Sequence, residues 1–361
     1  MTFFLIAGER SGDLHGSHLI KALRQRNPDT AFVGYGGDMM EEAGMKLLRH
    51  YREISYMGFW EVFIHIRTLL RTLNRCRQQI SEHAPDVLIL IDFPGFNLKM
   101  AKHAKALDIG TAYYIAPKLW AWKKGRIKSI KKYVDKMYCI FPFETDFFQG
   151  LGYKVQYVGN PVMEAVHTYE TNSIAIEGRK IAFLAGSRIQ EIKASTPVIV
   201  ELARQRPDLQ ILVAGVGNVP IETYDCLEET RNVHVFLDRT YDILKTVEAA
   251  IVTSGTATLE TALLGVPQVV CYRTSPLTYF LAKNFVKVKY ISLVNLIADK
   301  EVVKELIQDE YTVENLLNEL SKLQMNRKRI LEDYKGIAEL LGTHAASNET
   351  AIRIERDFNK S

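Results

Sequence analysis

Residues 249–267 read AAIVTSGTATLETALLGVP, and this stretch decides the fold. Its first five residues are apolar on both faces of a strand, which only a sheet covered on both sides tolerates. Small residues follow at 254–258, and then a helical run, 259–264, stopped by Gly265 and Pro267. A buried strand, a tight loop and a helix make the repeating unit of a parallel, doubly wound α/β sheet. The same rhythm recurs at 3–7, 87–91, 111–115, 136–140, 181–185, 210–214 and 268–272. It breaks once. After Gly159, Asn160 and Pro161 the run from 167 to 180 is polar and aperiodic, and the rhythm restarts at Lys180. The predicted organisation is therefore two α/β domains of parallel sheet, residues 1–166 and 167–335. A helical tail, 336–361, is expected to pack back on the N-terminal domain.

Composition agrees with two ordinary cores. The chain has 361 residues, 47% of them hydrophobic and 24% charged, which argues against wholesale disorder. A net charge of +4 is too small to point to nucleic acid as a partner. Cys76, Cys139, Cys226 and Cys271 are far apart with no metal-binding spacing, as expected of buried thiols in a reducing compartment. The apolar start at Phe3 is too short and lacks the basic flank of a secretory signal. No run approaches the ~18 apolar residues of a spanning helix, so the expectation is a soluble or peripheral protein.

Several loops could carry chemistry. Ser254, Gly255 and Thr256 open a helix, where backbone N–H groups and the positive end of the helix dipole suit a diphosphate; Glu260 could accept from ribose hydroxyls. A simple capped helix would leave the same trace. Ser187 and Arg188 follow another buried strand, and the arginine's planar fork could grip a phosphate. No dinucleotide loop, P-loop, nucleophile elbow or Asp-x-Asp pair occurs, which disfavours a metal-bridged diphosphate. In the first half, AGERSGDLHG (7–16) links a strand to a helix and offers Glu9, Ser11 and Asp13 to a ligand, or to the turn itself. Asp92, in IDFPGFN (91–97), falls at a strand's carboxyl end, a usual place for a general base; capping the next helix is the alternative role. The segment 116–126, with two tryptophans among lysines, suits a phosphorylated sugar better than a nucleic acid.

Residues 57–75, MGFWEVFIHIRTLLRTLNR, form an amphipathic helix. Phe59, Val62, Phe63, Ile66, Leu69, Leu70 and Leu73 make one stripe fit to dock on a sheet. Trp60, Ile64, Arg67, Arg71 and Arg75 fall on another face, as in a helix lying at an anionic lipid surface. A greasy surface helix is the plainer account.

Taken in order, AGERSGDLHG, GYGGDMM (34–40), YMGFWEV (56–62), IDFPGFN, YIAPKLWAWKKGRIKSI (114–130), FPFE (141–144), GNP (159–161), LAGSRIQEI (184–192), SGTATLETAL (254–263) and YISLVNLIA (290–298) resemble the lipid-A-disaccharide synthases. The resemblance runs from about residue 3 to about residue 310. It implies a GT-B architecture, two Rossmann-like domains with a cleft between them, and often a homodimer exchanging its C-terminal portions. It implies an inverting hexosyl transfer from UDP-2,3-diacylglucosamine to 2,3-diacylglucosamine 1-phosphate (lipid X), giving the β-1,6 disaccharide 1-phosphate and UDP, with no cofactor or metal. It further implies a peripheral enzyme on the cytoplasmic side of the inner membrane of a Gram-negative bacterium. By position, Asp92 matches the family's base, Arg188 the arginine on the donor diphosphate, Glu9 an acidic residue near the sugar and Asn295 an asparagine of the donor site. Ser254, Gly255, Thr256 and Glu260 match the nucleotide loop, and 57–73 the membrane-contacting helix. The chain departs from the family's usual pattern at Arg10, Gly95, Ala185 and the stretch after Leu296, beside these positions rather than on them. Other readings are a different UDP-sugar enzyme of the same architecture, a peptidoglycan glycosyltransferase or a UDP-sugar 2-epimerase, and a non-catalytic lipid- or nucleotide-binding protein.

Overall fold

The computed structural model describes residues 1–54, 66–121, 124–275, 279, 289–342 and 345–359, without the side chains of Ile66 and Arg67. The chain divides into two compact units, Met1–Pro161 with Thr343–Ser361, and Val162–Gly342. The expected limits were 166/167 and 335/336.

The first unit holds a seven-stranded parallel sheet built of β1 (Thr2–Ala7), β2 (Ala31–Gly36), β3 (Lys46–His50), β4 (Val87–Ile91), β5 (Gly110–Tyr114), β6 (Lys136–Cys139) and β7 (Gln156–Tyr157), in the order β3-β2-β1-β4-β5-β6-β7. The order reverses between β1 and β4, whose register pairs Ala7 with Ile91. That switch point is where open parallel sheets bind ligands, because the helices leaving the two strands diverge to opposite faces. β4 is buried along its whole length, as the unbroken run VLILI requires. One face of the sheet packs Phe4, Ile6, Leu88 and Leu90 into a core with Leu73, Cys76, Ile80 and Met100. The C-terminal helix Ala346–Phe358 closes this unit. Glu355 pairs with Arg26 at 2.6 Å, Asp357 accepts from Gln156 at 2.9 Å, and the Phe358 ring lies over Gly110.

The second unit holds a six-stranded parallel sheet of β8 (Arg179–Leu184), β9 (Leu209–Gly215), β10 (Val233–Leu237), β11 (Ala249–Thr253), β12 (Gln268–Tyr272) and β13 (Glu305–Ile307), ordered β10-β9-β8-β11-β12-β13. Its switch point lies between β8 and β11, paired through Leu184 and Val252. Ala182, Leu184, Leu212, Ala250 and Val252 fill one face.

The amphipathic segment is described only in part. Phe59, Trp60, Phe63 and Ile64 lie outside the described residues, and the described helix spans Ile66–His83. Leu73, Cys76 and Ile80 are buried and Leu69 is half-buried against the core. Leu70 departs from the expected docking stripe. It is 52% exposed, because it falls a residue off the buried line, beside the exposed Arg71. Among the described residues no helix is long and apolar enough to cross a membrane.

Candidate functional site

Both switch points carry the residues singled out from the sequence. In the first unit the chain leaves β4 through Asp92 and Phe93, whose φ values of +43° and +46° put both in the left-handed region. Such conformations cost about 1–3 kcal/mol each in a non-glycine residue, so the surroundings must hold them. Three contacts do. The Asp92 carbonyl accepts from the Tyr113 hydroxyl and, at 2.8 Å, from Asn97 Nδ2, and the same amide reaches the Ile91 carbonyl at 3.2 Å. Pro94, at the first helical position, then pre-sets the helix Pro94–Ala106. The Phe93 ring lies flat over Gly8, where even a methyl group would come within 2.3 Å of it. Gly8 is thus what lets the two loops of the switch point touch.

The result is a half-buried Asp92 carboxyl with charged neighbours. Burial pushes its pKa up to about 6. Lys118 opposes that rise, Glu9 adds to it, and the Phe93 N–H and Arg126 oppose it. A carboxylate held near 6 is ionised at neutral pH yet basic enough to take a proton, which is what general-base work asks. Glu9 stands one residue before the helix Arg10–Arg26 and accepts from the Ser11 hydroxyl at 2.8 Å. Asp92, Glu9 and Ser11 are therefore brought together.

Asp13 is not among them, and its carboxylate is engaged by backbone groups. It is 2% exposed, and its carboxylate accepts from the backbone N–H groups of Gly37, Met39 and Met40 at 2.8, 3.2 and 3.1 Å. It caps the helix Asp38–Glu42 from a distance, a role no local spacing reveals.

In the second unit Gly186, at φ +103°, turns the chain out of β8. Ser187 and Arg188 are exposed there, wrapped around one side chain. Glu191 accepts from the Ser187 N–H at 3.0 Å, the Arg188 N–H at 3.3 Å and the Arg188 guanidinium at 2.8 Å. These donors are the kind that bind a diphosphate, and here a carboxylate satisfies them. On the adjacent strand, β11 ends at Thr253; Ser254, just after it, donates to the Ile291 carbonyl at 2.9 Å, while Gly255 and Thr256 are exposed at the start of the helix Thr256–Leu263. Glu260, half-buried, accepts from the Tyr241 hydroxyl at 2.9 Å.

Asn295 is likewise engaged within its own unit. It is completely buried. Its Oδ1 accepts from the Val302 and Val303 N–H groups at 2.8 and 3.0 Å, and its Nδ2 donates to the Val303 carbonyl and to Glu305, both at 2.9 Å. These bonds make the side chain a bracket for residues 302–305.

Sequence reasoning passed over Lys118, Arg126, Glu144, Tyr113 and Glu191. All but Tyr113 lie in quoted motifs, but nothing in their spacing told which would converge. Among the described residues there is no group of three or more acidic, histidine or cysteine side chains suited to a metal ion.

Comparison with known proteins separates readings the geometry leaves open. The family described as Lipid-A-disaccharide synthetase matches residues 3–352. A Lipid-A-disaccharide synthase of Myxococcus xanthus is 39% identical over 351 residues, 94% of this chain and 92% of that protein. The chain belongs to that family. It is accordingly a glycosyltransferase of lipid A biosynthesis, not an epimerase or a silent binding protein. Solved structures agree on the fold alone. The glycotransferase of kitacinnamycin superposes with a TM-score of 0.68 at 13% identity, covering 99% of each chain. UDP-GlcNAc 2-epimerase from Neisseria meningitidis, bound to UDP-GlcNAc, does so at 0.67 and 14%, covering 100% of each. The paired parallel-sheet domains are the GT-B architecture that both kinds of enzyme use.

Proposed function

We propose that the N-terminal domain carries the acceptor chemistry, with Asp92 as general base, and that the C-terminal domain binds the donor's diphosphate through Arg188, Ser187 and the loop Ser254, Gly255 and Thr256. The donor is UDP-2,3-diacylglucosamine and the acceptor lipid X. Asp92 takes the proton of the acceptor's 6-hydroxyl as that oxygen attacks the anomeric carbon. The bond from that carbon to the UDP oxygen breaks, and UDP leaves with the electron pair. Attack opposite the leaving group inverts the centre and gives the β linkage. Glu9 orients the sugar and keeps the Asp92 proton affinity high; Arg188 and the helix start neutralise charge growing on UDP. Glu260, which accepts from the Tyr241 hydroxyl, takes the ribose hydroxyls as well.

The observation that carries this reading is the Asp92 carboxyl. It is held on a strained turn at the switch point, raised to about 6 and flanked by Glu9 and Lys118. The reading includes peripheral attachment to the cytoplasmic face of the inner membrane through residues 57–73. Leu70 beside Arg71 and Arg75, all exposed, supports that part. A homodimer exchanging C-terminal segments belongs to it as well. The test is incubation with UDP-2,3-diacylglucosamine and lipid X. Disaccharide 1-phosphate and UDP in equal amounts support the reading; UDP released without disaccharide contradicts it.

A further inference from the structure

Glu144 is a carboxylate buried completely in the N-terminal domain, and the chemistry above makes no use of it. It begins the helix Phe143–Gly150, and each of its oxygens is engaged. Oε2 accepts from the backbone N–H groups of Ile140 and Phe141 at 3.2 and 3.1 Å, and Oε1 accepts from the indole N–H of Trp120 at 3.1 Å. The Trp120 ring meets Phe143 edge-on, with centroids 5.4 Å apart, and Phe143 stacks on Phe141. Two residues before Trp120 stands Lys118, whose ammonium draws on the Glu144 carboxylate and also on that of Asp92. Burial pushes the pKa of Glu144 up to about 7, and the Trp120 indole, the Phe141 and Ile140 N–H groups and Lys118 oppose that rise; a glutamine or an apolar residue would serve mere packing at less cost. The carboxylate thus ties the end of β6 to the segment that brings Lys118 beside Asp92.

We propose that Glu144 is a positioning residue of the transfer reaction: through Trp120 and Lys118 it holds the 117–121 segment in register with Asp92. This rests on the reading of Asp92 as base. Glu144 touches neither substrate nor reacting atoms, so it acts on the rate through the placement of its neighbours. A misplacement of about 1 Å in such a segment can cost on the order of a hundredfold in rate.

The experiment compares Glu144→Ala, Glu144→Gln, Trp120→Phe and the double variant Glu144→Ala/Trp120→Phe in the disaccharide assay, with UDP affinity and thermal melting measured on each. Asp92→Asn runs alongside. The expected result for Glu144→Ala is a fall in kcat/KM for lipid X of about tenfold to a hundredfold, with UDP affinity unchanged. Glu144→Gln keeps one acceptor, for the indole or for the two backbone N–H groups but not for both, and recovers only part of the loss. Trp120→Phe lowers the rate without adding to the effect of Glu144→Ala, since both break the same link. Should Glu144→Ala not fold, Trp120→Phe and Glu144→Gln decide alone. Parental kinetics in every folded variant overturn the proposal, as does a loss that falls equally on UDP affinity. If Asp92→Asn stays active while the Glu144 and Trp120 variants lose lipid X turnover, the base assignment fails and the positioning role stands. If Asp92→Asn is dead and the Glu144 variants are unimpaired, the reverse holds.

Discussion

Glu9 and Asp92 extend from neighbouring parallel strands whose last paired residues are Ala7 and Ile91, and the charge on Glu9 raises the proton affinity of Asp92. A like-charged neighbour at a switch point is unfavourable for folding and useful for proton transfer. Several of the expectations below turn on that relationship.

The pH dependence follows from it. Asp92 must be ionised to accept a proton, and its pKa is held at about 6, so kcat/KM should rise with pH through that value and level off above it. Glu9→Gln removes a like charge and should move this limb to lower pH. Lys118→Met removes an opposite charge and should move it higher. Rate profiles between pH 4.5 and 8 on the three proteins check both signs.

Stability should respond in the opposite sense to activity. The folded-state pKa of Asp92 lies above its ordinary value of 3.8. An ionised Asp92 in this half-buried place is unfavourable above about pH 6, and the penalty fades as pH falls towards 4. Asp92→Asn should melt at a higher temperature than the parent at pH 8 and gain less at pH 5. Calorimetric melting at the two pH values measures this, and an equal shift at both would contradict it.

Arg188 and Glu191 should give effects of opposite direction on donor binding. Arg188→Ala loses a charged, forked contact and should weaken UDP binding by about tenfold, the size of a charge-assisted hydrogen bond of ~1.5 kcal/mol. Glu191→Gln frees the guanidinium from its 2.8 Å ion pair and should tighten UDP binding by a few-fold. Titration calorimetry with UDP reads both, and loss of affinity in Glu191→Gln would show that the carboxylate organises the loop instead of competing with the ligand.

Asn295→Ala should act on the fold. It leaves the Val302 and Val303 N–H groups without their acceptor, at about 1–3 kcal/mol for each buried group. Melting should fall by several degrees or more. An unchanged melting temperature with lost UDP affinity would return Asn295 to the donor site.

The α/β class was legible because the central strands are apolar on both faces, and strands such as Val87–Ile91, Ala249–Thr253 and Gln268–Tyr272 coincide with their expected limits. The strands Ala31–Gly36, Lys46–His50, Val233–Leu237 and Glu305–Ile307 were not. They lie at or near the sheet edges, where polar or glycine-rich sequences such as AFVGYG and KLLRH suffice. The places of Asp92, Glu9 and Arg188, just past strand ends, were legible because a buried strand running into a turn shows in its residue pattern. The bonds that bury Asp13 and Asn295 were not legible, because their partners, Gly37 to Met40 and Val302 to Glu305, come from separate turns that no motif announces. Glu144 escaped notice for the same reason: what makes it unusual is complete burial, which only packing reveals.

The single-turnover rate of Asp92→Asn, measured beside its affinity for UDP, bears most directly on the account. The account predicts a fall of about a hundredfold to ten-thousandfold, the range of general-base catalysis, with UDP binding within about twofold of the parent. Transfer within tenfold of the parental rate would contradict it.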